Sequence, residues 1–267
     1  IRTVKNQLPR ALEIIIKVLS ILKLANEDLA RNRDDMIVSL EQSKHDPFSL
    51  SADALKRLAY KKHPYFVSID EQIAGLKILT SDDVRTVIKR FGQNNLFVTC
   101  AGNIDVSTMT TLVDTLIPIL PKEAVLQPIP AAELDFQKSI HHVSMPIPQS
   151  VIRFTMPAIA LHDPDYYAYE LLEGIFGGTS MKSRLFQDIR EKRGLAYYAQ
   201  TNAVNMEKLD VLQGTTGVAT ENEQTVIQLI KDNMKLIQKE GITQEELNFE
   251  KQHTSGTFAL HFDSIRE

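Results

Sequence analysis

Apolar side chains recur at helical spacing through most of the first half of the chain and shift to alternation in parts of the second half, which predicts a mixed α and β protein. Leu8 to Leu24, containing ALEIIIKVLSILKL, reads as a strongly apolar helix. Asn26 or Asp28 opens a second helix through about Gln42, and Pro47 is expected to break it. A short helix follows from Ser51 to Tyr60, then a turn at Lys62-His63-Pro64-Tyr65. Thr80-Ser-Asp-Asp83 has the form of a cap, and the helix it starts ends near Phe91-Gly92. Leu96 to Ala101 reads as a strand, Gly102-Asn103 as a turn, and Ser107 to Leu120 as a helix ended by Pro121. From Lys122 to Gln137 there is no sustained period, and Pro128 and Pro130 mark a linker.

A second unit begins at Ser139 to Ser144. In the strand Ser150 to Met156, Ile152, Phe154 and Met156 alternate with Val151, Arg153 and Thr155. Pro164 starts a helix through about Phe176. Another runs from about Met181 to Lys192, capped by Thr179 or Ser180 and stopped by Gly194, with Met181, Leu185 and Ile189 on its apolar face and Phe186 on the flank. Leu195 to Val204 and Leu209 to Ala219 form an antiparallel pair joined by Asn205 to Lys208. A helix from Glu223 to Lys239 stops at Gly241, and Thr243-Gln-Glu-Glu246 is a capping box that starts the last one.

Composition narrows the class. At 267 residues the chain holds one large or two modest domains, and its 43% hydrophobic and 24% charged residues are ordinary for a globular protein. A net charge of -4 without a long basic run argues against a nucleic-acid partner. No apolar run approaches the roughly 20 residues of a membrane span. Cys100 is the lone cysteine, so no internal disulfide forms; within the strand-like run it is expected to be a small buried hydrophobe. The chain starts at Ile1 with no start methionine or signal segment and is expected to begin inside a longer precursor, which hides its localisation.

The densest pattern is Gly177 to Tyr198, GGTSMKSRLFQDIREKRGLAYY, where Arg190 in a last helical turn and Tyr197 in a strand entry are placed to converge on one extended ligand. Taken singly, Arg190 is also a cation at a helix C-terminus and Tyr197 also a core aromatic with a wet hydroxyl. The combined string resembles the second-domain signature of the pitrilysin/insulinase family of zinc peptidases (M16): a Gly-Gly turn, S-R-L-F, then R-E-K-x-G-L-A-Y. Three further stretches resemble other parts of that family. They are Leu55 to Thr80, with its Tyr60 and His63-Pro64-Tyr65 and the Leu79-Thr80-Ser-Asp-Asp-Val84 that follows, Phe97 to Asp105, and Gly241 to Leu247.

The resemblance implies an α+β fold of two related M16-type domains, each a mainly antiparallel sheet packed with helices (LuxS/MPP-like metallohydrolase), both truncated. Residues 1–121 would be the rear portion of the first domain, 122–138 a linker and 139–267 the second domain. It also implies that Arg190 and Tyr197 contact substrate backbone across a cavity from zinc. The family's zinc helix carries H-x-x-E-H, in which two histidines bind the ion and the glutamate polarises water. No such motif occurs among His45, His63, His141, His142, His162, His253 and His261. By its place before Phe176-Gly-Gly, Glu170-Leu-Leu-Glu173-Gly174 is the zinc helix's counterpart, with Glu170 and Gly174 replacing the histidines and Glu173 at the base position. Glu41 is the residue that resembles the third ligand, in surroundings more like the family's metal-free subunits.

On this reading the chain has no catalytic residue and no metal ligand of its own, and Arg190 and Tyr197 bind peptide substrate. Zinc would come from a partner in a homo- or hetero-dimer with an M16-type subunit, or from an upstream segment bearing H-x-x-E-H. The alternative is a non-proteolytic scaffold homologue, like the core subunits of the respiratory bc1 complex. The resemblance alone favours a bacterial periplasm over cytoplasm.

Overall fold

A computed structural model describes residues 2–20, 25–60, 63–134 and 140–261. The chain divides into two compact units, Ile1–Ser39 with Ile73–Pro128 and Leu260–Glu267, and Leu40–Gln72 with Ile129–Ala259. This grouping by contact is a separate matter from the expected order of family domains along the chain.

The helices in chain order are α1 (Leu8–Ser20), α2 (Asn26–Ser43), α3 (Pro47–Tyr60), α4 (Ile69–Ile78), α5 (Ser81–Ile88) and α6 (Val106–Asp114). Residues 21–24, at the end of the first expected helix, lie outside the described residues, as do 61–62 and 135–139. In the first unit Leu12, Ile73, Leu116 and Leu120 are buried. Helix α5 starts as its sequence requires, with the Thr80 hydroxyl accepting from the Asp83 amide at 3.3 Å and the Asp83 carboxylate accepting from the Thr80 amide at 2.8 Å. Asp105 caps α6 by accepting from the Thr108 amide at 2.8 Å.

Three expectations fail here for identifiable reasons. Helix α6 stops at Asp114 and gives way to a 3-10 turn, Ile117–Ile119, because Pro118 lacks an amide donor and disfavours a helical residue before it. Leu96 to Ala101 forms no strand, since no neighbouring strand pairs with it among the described residues, and Phe97 is 92% exposed. Cys100, in the same run, is therefore exposed rather than buried.

The second unit is built on strands β1 (Gln149–Pro157), β2 (Ala196–Met206) and β3 (Leu209–Ala219), all antiparallel in the order β1-β3-β2. The β2–β3 hairpin closes between Met206 and Leu209, tighter than the four-residue loop expected. One sheet face packs under α7 (Tyr166–Gly177), a π-helical segment Phe186–Glu191 and α8 (Glu223–Glu240), around Phe176, Leu185, Ile189, Leu212 and Val226. Phe154 from β1 reaches this core over Gly214, where a Cβ would lie 2.0 Å from the Phe154 ring.

The other face is covered by α3, which comes from about a hundred residues earlier in the chain. Tyr60 sits 1% exposed, with its hydroxyl 3.3 Å from the Thr155 hydroxyl and accepting from the Gln213 amide at 3.0 Å. Pro47 starts α3 instead of ending its predecessor, because proline is preorganised for a first helical position and Asp46 caps the turn by accepting from the Ser49 amide at 2.7 Å. The segment read as a linker is anchored where it is described: the Ala132 amide donates to the Lys208 carbonyl at 3.2 Å, and His63 lies 2.9 Å from the Pro130 carbonyl. The last helix, α9 (Gln244–His261), begins at its Thr243–Glu246 box.

Candidate functional site

The Gly177–Tyr198 stretch folds differently in detail from a simple helix. Helical winding begins near Arg184, after a turn in which the Ser180 hydroxyl accepts from the Lys182 amide at 3.1 Å, and it widens into the π form at Phe186–Glu191. Met181 falls in the preceding turn and is 70% exposed, so it does not share the buried face of Leu185 and Ile189. Gly178 sits where a Cβ would meet the Gly174 backbone at 2.6 Å, which is why the turn takes glycine. Gly194, with φ of 64°, ends the segment in the left-handed region and returns the chain into β2.

This return brings Arg190 and Tyr197 together. The guanidinium carbon of Arg190 is 4.7 Å from the centre of the Tyr197 ring and 4.8 Å from that of Phe186, so the cation is held between two aromatic faces. Tyr197 is 80% exposed. Among the described residues no carboxylate pairs with Arg190. Asp188, on the same segment, is engaged by Arg193, by the Asn233 amide at 3.0 Å and by Lys192 at 3.7 Å. Burial alone would push the Asp188 carboxyl up, but the Asn233 and Arg193 hydrogen bonds outweigh it and hold it below its ordinary value. Arg190 thus presents a planar fork of donors with no carboxylate partner among the described residues, and stacking orients it.

Arg184 of the same stretch has a different role. Its guanidinium donates to both Glu246 oxygens, at 2.6 and 2.8 Å, and to the Gly241 carbonyl at 3.0 Å. Glu246 also closes the cap of α9 by accepting from the Thr243 amide at 2.7 Å. Foremost through Arg184, its carboxyl is lowered to about 2. The capping box is visible in sequence; its arginine partner, 62 residues earlier, carries no local signal.

The stretch Glu170-Leu-Leu-Glu173-Gly174 lies on α7. Glu173 accepts from the Thr201 hydroxyl at 2.5 Å, and burial pushes its carboxyl up, with Thr201 opposing and Glu250 and Glu170 adding to the rise. At Gly174 a Cβ would stand 2.3 Å from a carboxylate oxygen of Glu250, so that side chain fills the room a larger residue would need. Sequence reading missed Glu250, which is 6% exposed and lies 3.6 Å from His253. These residues do not fit a zinc ion: Gly174 offers no donor, and Glu250 occupies its place. No group of three or more metal-ligating side chains is assembled among the described residues. Glu41 pairs with Lys44 at 3.0 Å, and Lys44 also reaches Asp70 at 3.0 Å. His141 and His142 are exposed.

Fold and site together define an α+β domain of peptidase type, with an arginine and a tyrosine stacked at the start of a strand that is a sheet edge among the described residues. Residues 79–253 match the family described as "Peptidase M16 inactive domain", and the chain belongs to that family. It is 23% identical over 253 residues to a protein of Streptomyces coelicolor named as an uncharacterized zinc protease, covering 92% of this chain and 55% of that protein. The chain thus spans about half the length of that curated relative. Among solved structures, the M16 inactive domain from Pseudomonas fluorescens superposes with a TM-score of 0.87 at 24% identity, over 94% of this chain and 61% of that one. A protease from Helicobacter pylori gives 0.83 at 18% identity, over 98% and 65%. The mixed helical and antiparallel-sheet architecture is shared with both. No helix among the described residues is long and apolar enough to cross a membrane.

Proposed function

We propose that this chain is the substrate-gripping component of an M16-type zinc peptidase. It binds extended peptides through Arg190 and Tyr197, and it completes the chamber of a zinc-bearing M16-type subunit or of a segment of its own longer chain. The observation that carries this reading is the Arg190 guanidinium, which has no carboxylate partner among the described residues and is held between the Phe186 and Tyr197 rings. A surface arginine kept only for stability gains little from such placement, whereas a preorganised donor fork binds carbonyl oxygens without first losing rotamer freedom. Strand β2 is an edge of the sheet among the described residues, and an extended peptide adds to such an edge by main-chain hydrogen bonds. The Tyr197 hydroxyl is a second donor. These contacts accelerate hydrolysis to the extent that they tighten as negative charge develops on the attacked carbonyl.

Zinc, its ligands and the general base belong, on this proposal, to the other component. The expected result is that purified chain hydrolyses no peptide and holds no stoichiometric zinc. Chelator-sensitive cleavage should appear when an M16 subunit carrying H-x-x-E-H is added, or when the upstream part of the longer chain is restored. Zinc-dependent cleavage by this chain alone would contradict the division of labour. The description of the matched family as an inactive domain favours a second reading, a structural homologue with no part in proteolysis. It predicts that the mixture gains no activity beyond that of the zinc-bearing component.

A further inference from the structure

A peptide paired along β2 alternates its side chains between the two sheet faces. Tyr197 and Tyr198, at the start of β2, both line one cleft. Tyr197 stacks on Arg190, whereas the Tyr198 hydroxyl lies 3.1 Å from where a Gly217 Cβ would stand, and its ring is 6.1 Å from that of Phe48 on α3. That cleft, of about 250 Å³, lies beside Tyr198 and Phe48 and is walled also by Pro47, Val151, Leu195 and Val218. The cleft is thus continuous with the start of β2, where Ala196 faces Val218 and Ala199 faces Thr216. Tyr197 and Tyr198 there oppose the single residue Gly217, and such a bulge re-aims neighbouring side chains.

We propose that this cleft is a specificity pocket for a large apolar side chain, aromatic or branched aliphatic, of the peptide that Arg190 and Tyr197 grip; it rests on that gripping reading. None of the residues around the cleft is charged. A charged side chain placed there would lose hydration, and the lining itself offers no ion-pair partner. The Ser150 hydroxyl at its margin is already bonded to Glu223 and, at 3.3 Å, to Thr220. In size the cleft is generous for one ring, since a dry apolar cavity of about 150 Å³ accommodates benzene. Phe48, 41% exposed, and Tyr198 are tilted by 31°, an arrangement to which a third ring adds edge-on.

The test uses the chain itself and fluorescein-labelled nine-residue peptides of alternating threonine and serine with Phe, Leu, Ala, Asp or Lys at the centre, read by fluorescence anisotropy. The Phe and Leu peptides should bind roughly tenfold more tightly than the Ala peptide, the scale of burying one large apolar side chain in part, and the Asp and Lys peptides more weakly still. Phe48→Ala should reduce the Phe-over-Ala preference to within about threefold, and Phe48→Glu should make the Lys peptide bind more tightly than the Asp peptide. Arg190→Ala should weaken all five alike. If the peptides bind and respond to Arg190→Ala, yet Phe and Ala bind alike or neither Phe48 variant alters the order, the pocket is refuted while the grip stands. If no peptide binds, or binding ignores Arg190→Ala, the gripping reading fails and the pocket falls with it.

Discussion

Gly214→Ala is expected to be the most damaging small substitution in the sheet. Gly214 pairs with Phe154 on one side and Thr201 on the other, and an added methyl would stand 2.0 Å from the tip of the Phe154 ring. That ring cannot simply rotate away, because it meets Phe176 at 6.5 Å within the main core cluster. Overpacking of this kind costs about 1–3 kcal/mol, and a contact so far inside van der Waals distance belongs at the upper end. A fall of roughly 5–10 °C in melting temperature follows for a unit of this size. Phe154→Leu in the Gly214→Ala background should recover part of the loss, whereas a steric account fails if the double variant melts lower than Gly214→Ala alone.

The second large effect concerns pH and the Arg184–Glu246 pair. Glu246 titrates near 2 in the folded chain against an ordinary 4.5, so its contribution to stability is fully present above the ordinary value and is lost as pH falls toward the folded one. Its side chain is 27% exposed and that of Arg184 13%, which places the contribution between a surface and a buried pair, at about 2 kcal/mol after allowance for solvent. Glu246→Gln should therefore lower the melting temperature by roughly 4–8 °C at pH 7. The difference from the parent should shrink steadily between about pH 5 and pH 2. A gap that stays constant over that range would mean that the carboxylate's charge is not what the pair contributes.

These two sites show where sequence reading reaches its limit. The caps at Thr80 and Thr243, the stops at Gly194 and Gly241 and the β2–β3 hairpin were legible because each is decided within a few residues of chain. Leu96–Ala101 has the composition of a strand but pairs with no strand among the described residues, and composition cannot supply one. Pro47 begins a helix because Asp46 caps it, a choice that an isolated proline does not reveal. Of the site, Arg190 and Tyr197 were legible through their spacing and the family resemblance. Stacking on Phe186 depends on the π winding, and the pairing of Arg184 with Glu246 and the approach of Glu250 to Gly174 depend on how distant helices pack.

The central claim is that Arg190 and Tyr197 hold substrate and not the fold. The most direct measurement is a double-mutant cycle on the assembled peptidase, with Arg190→Ala, Tyr197→Phe and both together, each followed by turnover and by thermal melting. Neither residue is deeply engaged: one is a stacked surface cation, and the other changes only an exposed hydroxyl. Melting temperatures should therefore move little, in line with contributions of about 0.5–1.5 kcal/mol or less. Activity should fall roughly tenfold or more for each single variant, the loss of a transition-state hydrogen bond worth about 1.4 kcal/mol. Because both side chains act on one bound strand, the double variant should lose less than the sum of the two. A large fall in melting temperature with unchanged specific activity of the folded fraction would contradict the account and make the pair a structural one.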